Sequence, residues 1–254
     1  MRLDKEMISK IIQRLNSHHS IRLISEEFNL GKSTVYYYYN KIRGKHYSKP
    51  HFNCSASEIE GEIVGIFAGD GSQYFEPKKY SYEVNVHFGK VNEDFAIYVK
   101  KLYENFFNKK FRLQNDSATQ LRLRAQSKEI FHYFKKYIDY DPRLKHCTVK
   151  LNNVFPHEFI IGFLRGLFDT DGCLCYSKRE KRFRIFYTTT SAELAKQVCM
   201  HLRKLNVDCN IYTRDNSHKR EKMIYIINIL KASTHRFIKK IQPFKARRAG
   251  NSVW

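Results

Sequence analysis

The sequence lacks the features that mark several common classes of protein. Its six cysteines show no C-x-x-C spacing, which argues against a zinc ribbon and predicts reduced, partly buried thiols. Its apolar runs, such as FIIGFL, are far shorter than the roughly 20 residues that a membrane-spanning helix requires. The amino terminus, MRLDKEMISK, has no apolar core followed by a cleavage site, so no secretory signal is expected. We therefore expect no membrane partner and an intracellular protein, in a prokaryotic cytoplasm or in an organelle or nucleus.

Acidic residues are also scarce. The 254 residues contain 25 Asp and Glu against 46 Lys and Arg, which gives a formal net charge of +21. The positive charge is spread along the chain instead of lying in a tail, so a basic surface on the fold itself is expected. A polyanion is the predicted partner. With 42% apolar residues, a chain of this length can bury the core of one large domain or of two to three small ones.

Residues 1–44 predict a small helical domain. The apolar residues of LDKEMISKIIQRLN (3–16) fall on one helical stripe. A second short helix, a tight turn at NLG and a third helix follow, an order that resembles a helix-turn-helix. The alternative is a plain three-helix scaffold whose tyrosines pack inward. Residues 45–56 have no periodicity and predict a linker.

Several side chains of the third helix are candidates for contacts with phosphates and base edges, because they combine hydroxyl groups, rings and cations. They are Lys32, Ser33, Thr34, Tyr36, Tyr37, Lys41 and Arg43.

Two segments repeat each other, EIVGIFAGDGS (62–72) and FLRGLFDTDGC (163–173). Each begins as an apolar helix and ends at Asp-Gly, where glycine lets the chain leave the helix sharply. Asp70 and Asp171 are therefore predicted at the ends of two helices.

Each of these helices also carries two glycines four residues apart, Gly61 and Gly65 in one, Gly162 and Gly166 in the other. Such spacing leaves a stripe without side chains, against which another backbone can pack. The simplest partner for one stripe is the other. Parallel packing of the two stripes would bring the two aspartates together.

The duplication continues beyond these motifs. KVNEDFAIYVKKLYENF (90–106) matches TTSAELAKQVCMHLRKL (189–205). The offset between these segments is nearly the same as that between the two Asp-Gly motifs. Alternating stretches such as YSYEVNVHF and MIYIINIL predict strands. The predicted fold class is α+β, with two pseudo-symmetric αββαββα repeats, residues 57–155 and 156–254, after the small helical domain.

LRGLFDTDG (164–172) and IVGIFAGDG (63–71) resemble the motif of the LAGLIDADG homing endonucleases of the two-motif type. The first agrees with the motif name at six of nine positions and the second at three. The resemblance covers residues 57–254 and implies a monomer whose two repeats form a β saddle over the major groove. It also implies Mg²⁺-dependent cleavage of both strands at a long, asymmetric DNA site, with an intron-encoded or free-standing gene. Mn²⁺ is an alternative cation, and Ca²⁺ a substitute that does not support cleavage.

Hydrolysis of a phosphodiester needs an activated water, neutralisation of developing charge and help for the departing oxygen. Mg²⁺ held by carboxylates supplies all three. Asp70 and Asp171 are the acids that the repeat places at equivalent helix ends, so we predict them as metal ligands, with backbone carbonyls of Gly69 and Thr170 assisting. Asp169 has no acidic partner in the first repeat, and we expect it to cap a helix or face the core.

The resemblance also implies basic residues that support the attacking water and the scissile phosphates. The candidates are Lys90 and Lys145 in the first repeat and Lys245 in the second, with Arg247 and Arg248 as alternatives to Lys245 and Thr189 opposite Lys90. A solvated surface lysine is the alternative interpretation of each.

Recognition of the DNA sequence is assigned to side chains of the predicted sheets, because Arg and Lys can bond to guanine edges and Asn and Gln to adenine. In the first repeat they are Gln73, Lys78, Tyr82, Asn85 and His87; in the second they are Tyr176, Lys178, Arg182, Arg184 and Tyr187. The predicted phosphate contacts are Arg122, Arg124, Arg214, Lys219 and Arg220. Only every second residue of a strand faces one side, so about half of these are expected to point elsewhere.

Two other functions use the same architecture. One is a transcriptional regulator that binds DNA without cutting it, against which the retained Asp70 and Asp171 argue. The other is an intron maturase, in which the basic saddle would assist splicing of RNA. An intein is not expected, because the sequence opens with Met1 and its last residues, GNSVW, lack the His-Asn pair that protein splicing uses.

Overall fold

The computed structural model describes residues 3–43, 50, 52, 54–177, 182–215 and 223–248. The chain divides into two units, residues 1–49 and 50–254. Part of the predicted linker, residues 45–49, 51 and 53, lies outside the described residues. Among the described helices, none has the length and apolar character needed to cross a membrane.

The first unit contains three helices, α1 (Lys5–Asn16), α2 (Ile21–Glu27) and α3 (Lys32–Arg43). Asp4 caps α1 by accepting a hydrogen bond from the Met7 amide at 2.7 Å. The tight turn between α2 and α3 places Asn29 in the left-handed region, at φ 49°. Four apolar side chains close a small core of their own: Ile11, Leu15, Ile24 and Val35.

Two long apolar helices form the axis of the second unit. They are α4 (Glu58–Asp70) and α8 (His157–Thr170). A Cβ atom added to Gly61 would lie 1.9 Å from the Phe159 carbonyl oxygen, and one added to Gly162 would lie 1.9 Å from the Glu58 carbonyl oxygen. The two backbones therefore touch, which confirms that each glycine stripe packs on the other.

In the first repeat, α4 is followed by a four-stranded antiparallel sheet with the strand order β1-β2-β4-β3. Two helices, α5 and α6, pack on it, and a small β5–β6 pair with the short helix α7 follows. The bounds are β1 (Gly71–Glu76), β2 (Ser81–Gly89), α5 (Glu93–Phe107), β3 (Arg112–Asn115), β4 (Gln120–Gln126), α6 (Lys128–Tyr133), β5 (Ile138–Asp139), α7 (Lys145–Thr148) and β6 (Lys150–Leu151).

The second repeat has the same helix, hairpin, helix, hairpin, helix order around α8, followed by a short helix in place of the small strand pair. Its sheet has the order β7-β8-β10-β9. The predicted α+β fold of two αββαββα repeats is confirmed. The bounds are β7 (Gly172–Ser177), β8 (Arg182–Thr189), α9 (Ala192–Lys204), β9 (Cys209–Arg214), β10 (Ile224–Ile229), α10 (Thr234–Ile241) and α11 (Phe244–Arg248).

A buried ion pair crosses the axis between the repeats. Arg165 on α8, 7% exposed, donates to Glu62 of α4 at 3.0 Å, and it also pairs with Glu58. Its Nε donates to the Ile241 carbonyl oxygen at 2.7 Å, and the Tyr98 hydroxyl donates to Glu62 at 2.6 Å. The position of α4 that corresponds to Arg165 is Val64. Helix α4 therefore has no equivalent arginine, and the ion pair is not duplicated.

Candidate active site and nucleic-acid interface

The carboxylates of Asp70 and Asp171 lie close together where the axis helices end. Asp70 is the last residue of α4, and Asp171 is the C-cap of α8. A Cβ atom added to Gly69 would lie 3.0 Å from Asp171 Oδ2 and 2.2 Å from Thr170 Oγ1. The glycine thus permits a contact that brings the two acids to one point.

Burial raises the pKa of both acids above its ordinary value, and at Asp70 the negative charge of its neighbour adds to the effect. The pKa of Asp70 is raised to about 7, first by burial and then by the negative charge of Asp171. Burial of its carboxyl group also raises the pKa of Asp171, although the residue keeps an exposed edge. Lys145 and Lys245 lower both values in part. Two carboxylates held in this way would be stabilised by a cation.

Two lysines hold equivalent positions beside the acids. Lys145 Nζ donates to the carbonyl oxygens of Ala68 at 2.8 Å and Gly69 at 2.9 Å, at the end of α4. Lys245 Nζ donates to those of Phe168 at 3.3 Å and Thr170 at 3.1 Å, at the end of α8. A cation is favoured at a helix carboxyl end by the exposed carbonyl groups there.

Burial lowers the pKa of both lysines, that of Lys145 to about 8, while the negative charge of the aspartates raises it in part. The structure therefore brings four of the residues predicted for catalysis to one place: Asp70, Asp171, Lys145 and Lys245. They form the candidate active site.

Asp169 fixes the segment that carries Lys245. It is 3% exposed, and its carboxylate accepts hydrogen bonds from the amides of Phe244 at 2.9 Å and Lys245 at 3.1 Å. It thus caps the start of α11, as expected of an acid without a partner in the first repeat. Ala68 occupies the equivalent position, and there the lysine segment is held locally, since the Asp141 amide donates to Thr148 Oγ1 at 2.9 Å.

Lys90 is not part of this cluster. Its side chain is exposed at a short turn after β2, and its amide donates to the Thr119 carbonyl oxygen at 2.9 Å. Among the described contacts, none joins Lys90 to either aspartate. The structure therefore does not place this predicted catalytic lysine in the site. Thr189 lies nearer, since it lines the cavity beside Asp171.

The donor set fits a hard divalent cation. Mg²⁺ in proteins is commonly held by one or two carboxylates, with phosphate oxygens and water completing its shell. Asp70 and Asp171 supply two such carboxylates, and the described residues contain no larger cluster of His, Cys, Asp and Glu. The carbonyl oxygens of Gly69 and Thr170, predicted as ligands, already accept hydrogen bonds from the lysines. Those two carbonyl groups therefore hold the lysines in place.

Two cavities open at the aspartates. One of about 690 Å³ is lined by Asp70, Gln73, Tyr140 and Lys145. The other, about 270 Å³, is lined by Asp171 and Thr189. His146 lines both. His146 belongs to no motif of the sequence, and its place directly after a candidate lysine is the one signal that points to it.

The sheet faces turned away from the helices are called here the outer faces. On the first outer face, the side chains of Asn85, itself 5% exposed, and half-buried His87 alternate with the core residues Val84 and Val86 along β2. Arg124 and Arg122 lie opposite them on β4. These four residues, all predicted as DNA contacts, therefore share one face.

Polar contacts brace the first outer face. Arg122 pairs with Asp116 at 2.9 Å, Arg124 pairs with Glu83, and Ser72 Oγ lies 3.1 Å from His87 Nε2. Burial lowers the pKa of His87. Asn85 Oδ1 and Arg122 Nε are enclosed without a hydrogen-bond partner among the described residues. Such groups are usually satisfied by a ligand or by water.

The second outer face has a different composition. Exposed Arg184 lies on β8 with half-buried Phe186 and Thr188, and exposed Arg214 and Tyr212 lie on β9. Their strand neighbours on β10 are Ile226 and Asn228. The strands of this sheet contain no acidic residue. Of the predicted contacts, Arg184 and Arg214 are on this face.

Four predicted base contacts lie on the other side of their strands. Gln73 donates to the Phe131 carbonyl oxygen and accepts from the Tyr140 hydroxyl, while Tyr82 packs edge-on against Phe131. Tyr187 is 1% exposed in the core, and Tyr176 shares its side of the sheet. Expecting these four beside Asn85 and Arg184 was wrong, because strand alternation places them on the opposite face.

The remaining predicted contacts lie in turns and in the first unit. Lys78 is exposed in the turn between β1 and β2. On α3, five candidates are exposed: Lys32, Ser33, Tyr36, Tyr37 and Lys41, while Thr34 is half-buried. This helix contains no acid, whereas the acids of α1 and α2 pair with arginines and a lysine there. Lys178, Lys219 and Arg220 and the side chains of Arg43, Arg182 and Arg248 lie outside the described residues.

Comparison with known proteins agrees with this architecture. A family model described as a LAGLIDADG-like domain matches residues 158–242. An uncharacterised protein of Methanocaldococcus jannaschii is 25% identical over 172 residues, which cover 65% of this chain and 61% of that one. The chain thus spans about three fifths of this relative's length.

Two solved structures share the fold. I-DmoI in complex with DNA and Ca is similar with a TM-score of 0.56 and 22% identity, covering 77% of this chain and 98% of that one. The homing endonuclease I-WcaI bound to its DNA recognition sequence is similar with a TM-score of 0.52 and 15% identity, covering 76% and 84%. At these identities the likeness concerns the fold.

Proposed function

We propose that the chain is a two-motif LAGLIDADG protein and a site-specific endonuclease that makes a Mg²⁺-dependent double-strand break in a long, asymmetric DNA target. The observation that carries the proposal is the meeting of Asp70 and Asp171 at paired helix ends, each beside a half-buried lysine. A net charge of +21 and the DNA complexes of the structural neighbours support duplex DNA as substrate.

Asp70 and Asp171 would hold divalent cations against the scissile phosphates. A bound cation lowers the pKa of water, neutralises developing charge and stabilises the leaving oxygen. Mg²⁺ is the proposed cation, with Mn²⁺ as an alternative, and the Ca-containing complex of I-DmoI supports a site for a divalent ion. Because the pKa of Asp70 is raised to about 7, part of this carboxyl group is protonated at neutral pH, and a cation held there would favour its ionised form.

Lys145 and Lys245 would act next to the phosphates. Each is anchored by helix carbonyl groups, so its ammonium group is positioned before DNA arrives. One lysine and one aspartate come from each repeat, which supplies one reaction centre for each DNA strand. A monomer is therefore sufficient for a double-strand break.

The basic outer faces would lie along the target. Arg122, Arg124, Asn85 and His87 are proposed contacts of the first repeat, and Arg184 and Arg214 of the second. Lys32, Ser33, Tyr36, Tyr37 and Lys41 on α3 are proposed contacts of the first unit.

Cleavage of a plasmid library that carries random inserts tests the function directly. We expect linear products in Mg²⁺ and binding without cleavage in Ca²⁺. Asp70→Asn and Asp171→Asn should each lower cleavage by more than the roughly 10- to 100-fold that loss of a residue behind a metal ligand costs. Asp139→Asn, an exposed acid that lines the same cavity, is the control and should cut normally. Specific binding with no cleavage in any divalent cation would instead identify a DNA-binding regulator.

Removal of residues 1–44 tests the first unit. We expect weaker binding and a shallower dependence of affinity on salt, because cationic contacts to phosphate are lost, while cleavage is retained. Lys32→Ala in the full chain should lower the salt dependence by about one phosphate contact. Identical binding by the shortened chain would remove the first unit from the interface.

A further inference from the structure

The outer faces of the two sheets differ in chemistry at positions that the strand register makes equivalent. Gly71 pairs with Val86 in one sheet, and Gly172 pairs with Tyr187 in the other. Counting from these glycines, Asn85 and His87 correspond to Phe186 and Thr188. The amide of Asn85 is therefore replaced by an aromatic ring in the second repeat, and the imidazole of His87 by a side chain that carries a methyl group.

The neighbouring strands show the same exchange. Arg122 lies opposite His87 in the first sheet, and Ile226 lies opposite Thr188 in the second. Next to these, Gln114 pairs with Arg122, whereas Tyr212 pairs with Ile226. The centre of the first outer face is therefore a set of hydrogen-bonding groups. The second carries an apolar cluster of Phe186, Thr188 and Ile226, called here its apolar centre, with Asn228 opposite Phe186.

The apolar centre of the second outer face is built into the sheet. Phe186, Thr188 and Ile226 are half-buried, whereas Arg184, Arg214 and Tyr212 near them are exposed. Cations at the margin and the absence of acids from the strands suit a polyanion, and the centre offers it contact area without hydrogen bonds. In the major groove of DNA the thymine methyl group is the apolar feature that such side chains contact.

We propose that the second outer face reads thymine methyl groups through Phe186, Thr188 and Ile226, whereas the first outer face reads purine edges by hydrogen bonds. The inference rests on the proposed function, because it takes duplex DNA in both sheets as given. It predicts a target whose halves differ in composition, with thymines required in one half only.

Replacement of thymine by uracil tests this, since it removes the methyl group and keeps every hydrogen-bonding edge. The full chain is first used in Ca²⁺ to select bound duplexes from a random library. Thymines of the selected site are then replaced by uracil in one half at a time, and affinity is measured. We expect a loss of about fourfold for each buried methyl group in one half and little change in the other.

Phe186→Asn assigns the effect to the second outer face, since it installs the residue type found at the equivalent position of the first repeat. Because Thr188 and Ile226 remain, we expect this variant to keep a smaller preference for thymine over uracil than the wild type. Tyr176→Asn, on the other side of the same sheet, is the matched control and should keep the preference for thymine. Circular dichroism and thermal unfolding are used to check that both variants fold.

Two results would overturn the proposal: equal sensitivity to uracil in both halves, or no sensitivity in either half. An undiminished preference for thymine in Phe186→Asn would also overturn it. A protein that selects no duplex would overturn the proposed function and this inference together, whereas the other results leave the nuclease proposal standing.

Discussion

The two repeats share a backbone and differ in almost everything that faces outward. Glycines, carboxylates and lysines recur at the helix axis, where geometry admits little variation. Gly65 and Gly166 touch the opposite backbone, and Lys145 and Lys245 donate to the equivalent carbonyl groups of Gly69 and Thr170. On the outer faces, by contrast, Asn85 corresponds to Phe186. The comparison shows that the duplicated chain conserves the placement of its acids and lets the surface around them diverge.

The largest effect is expected from breaking the shared axis. In Gly65→Val the new Cβ atom would lie 2.2 Å from the Phe163 carbonyl oxygen, so the helices must separate. We expect a loss of about 3 kcal/mol or more in the free energy of unfolding, measured by urea denaturation. Gly89→Ala is the control, because its Cβ atom would meet only Val91 Cγ2, at 3.7 Å. Near-native stability of the valine variant would mean that the helix contact is looser than the structure shows.

The next largest effect is expected from removing the charge of Asp70, one of the two acids. The pKa of Asp70 is raised to about 7 from an ordinary value of 3.8, so the folded protein binds a proton that the unfolded chain releases between these pH values. Stability therefore falls as pH rises from about 4 to 7. Without divalent cations, Asp70→Asn should be more stable than the wild type at pH 8 by roughly 2 to 4 kcal/mol, and the difference should vanish near pH 4.

Adding Mg²⁺ gives a second test of the difference in stability between the wild type and Asp70→Asn. Millimolar Mg²⁺ should restore stability to the wild type at pH 8 and have little effect on Asp70→Asn, as followed by thermal unfolding. Asp139→Asn, an exposed acid, should show no such pH dependence relative to the wild type. A constant difference between Asp70→Asn and the wild type from pH 4 to 8 would contradict the raised pKa.

A smaller and more selective effect is expected at Asp169. Asp169→Ala removes the acceptor for the Phe244 and Lys245 amides, so Lys245 loses its position while Lys145 keeps its own. Cleavage of one strand should slow by about 10- to 100-fold, leaving nicked DNA, whereas Lys145→Met should slow the other strand. In the Lys245→Met background the alanine substitution should add little. Equal slowing of both strands would show that Asp169 has only a general structural role.

The parts of the fold that follow from local rules could be predicted from the sequence. Glycine spacing and the Asp-Gly ends located α4 and α8 and placed Asp70 beside Asp171, because only close backbone packing explains those glycines. The cap formed by Asp169 could also be foreseen, since its repeat partner Ala68 is apolar.

Features that depend on register or on distant packing could not. Alternation along β8 tells which residues share a face, but it does not tell that Tyr187 points to the core until the pairing with β7 is known. Arg165 was not singled out, because its partners Glu58 and Glu62 lie more than a hundred residues away. The short elements β5, α7 and α11 carry too few residues for a periodic signal.

The ion pair of Arg165 makes α4 and α8 non-interchangeable. Two copies of α8 brought together would bury two guanidinium groups without a carboxylate, and two copies of α4 would bury the Glu62 carboxylates without a cation. Either like-with-like assembly leaves charge uncompensated in a nonpolar environment, at a cost of about 3 to 5 kcal/mol for each stranded group. The halves of this chain therefore pair with each other in preference to their own kind, which keeps dissimilar DNA-facing surfaces within one molecule.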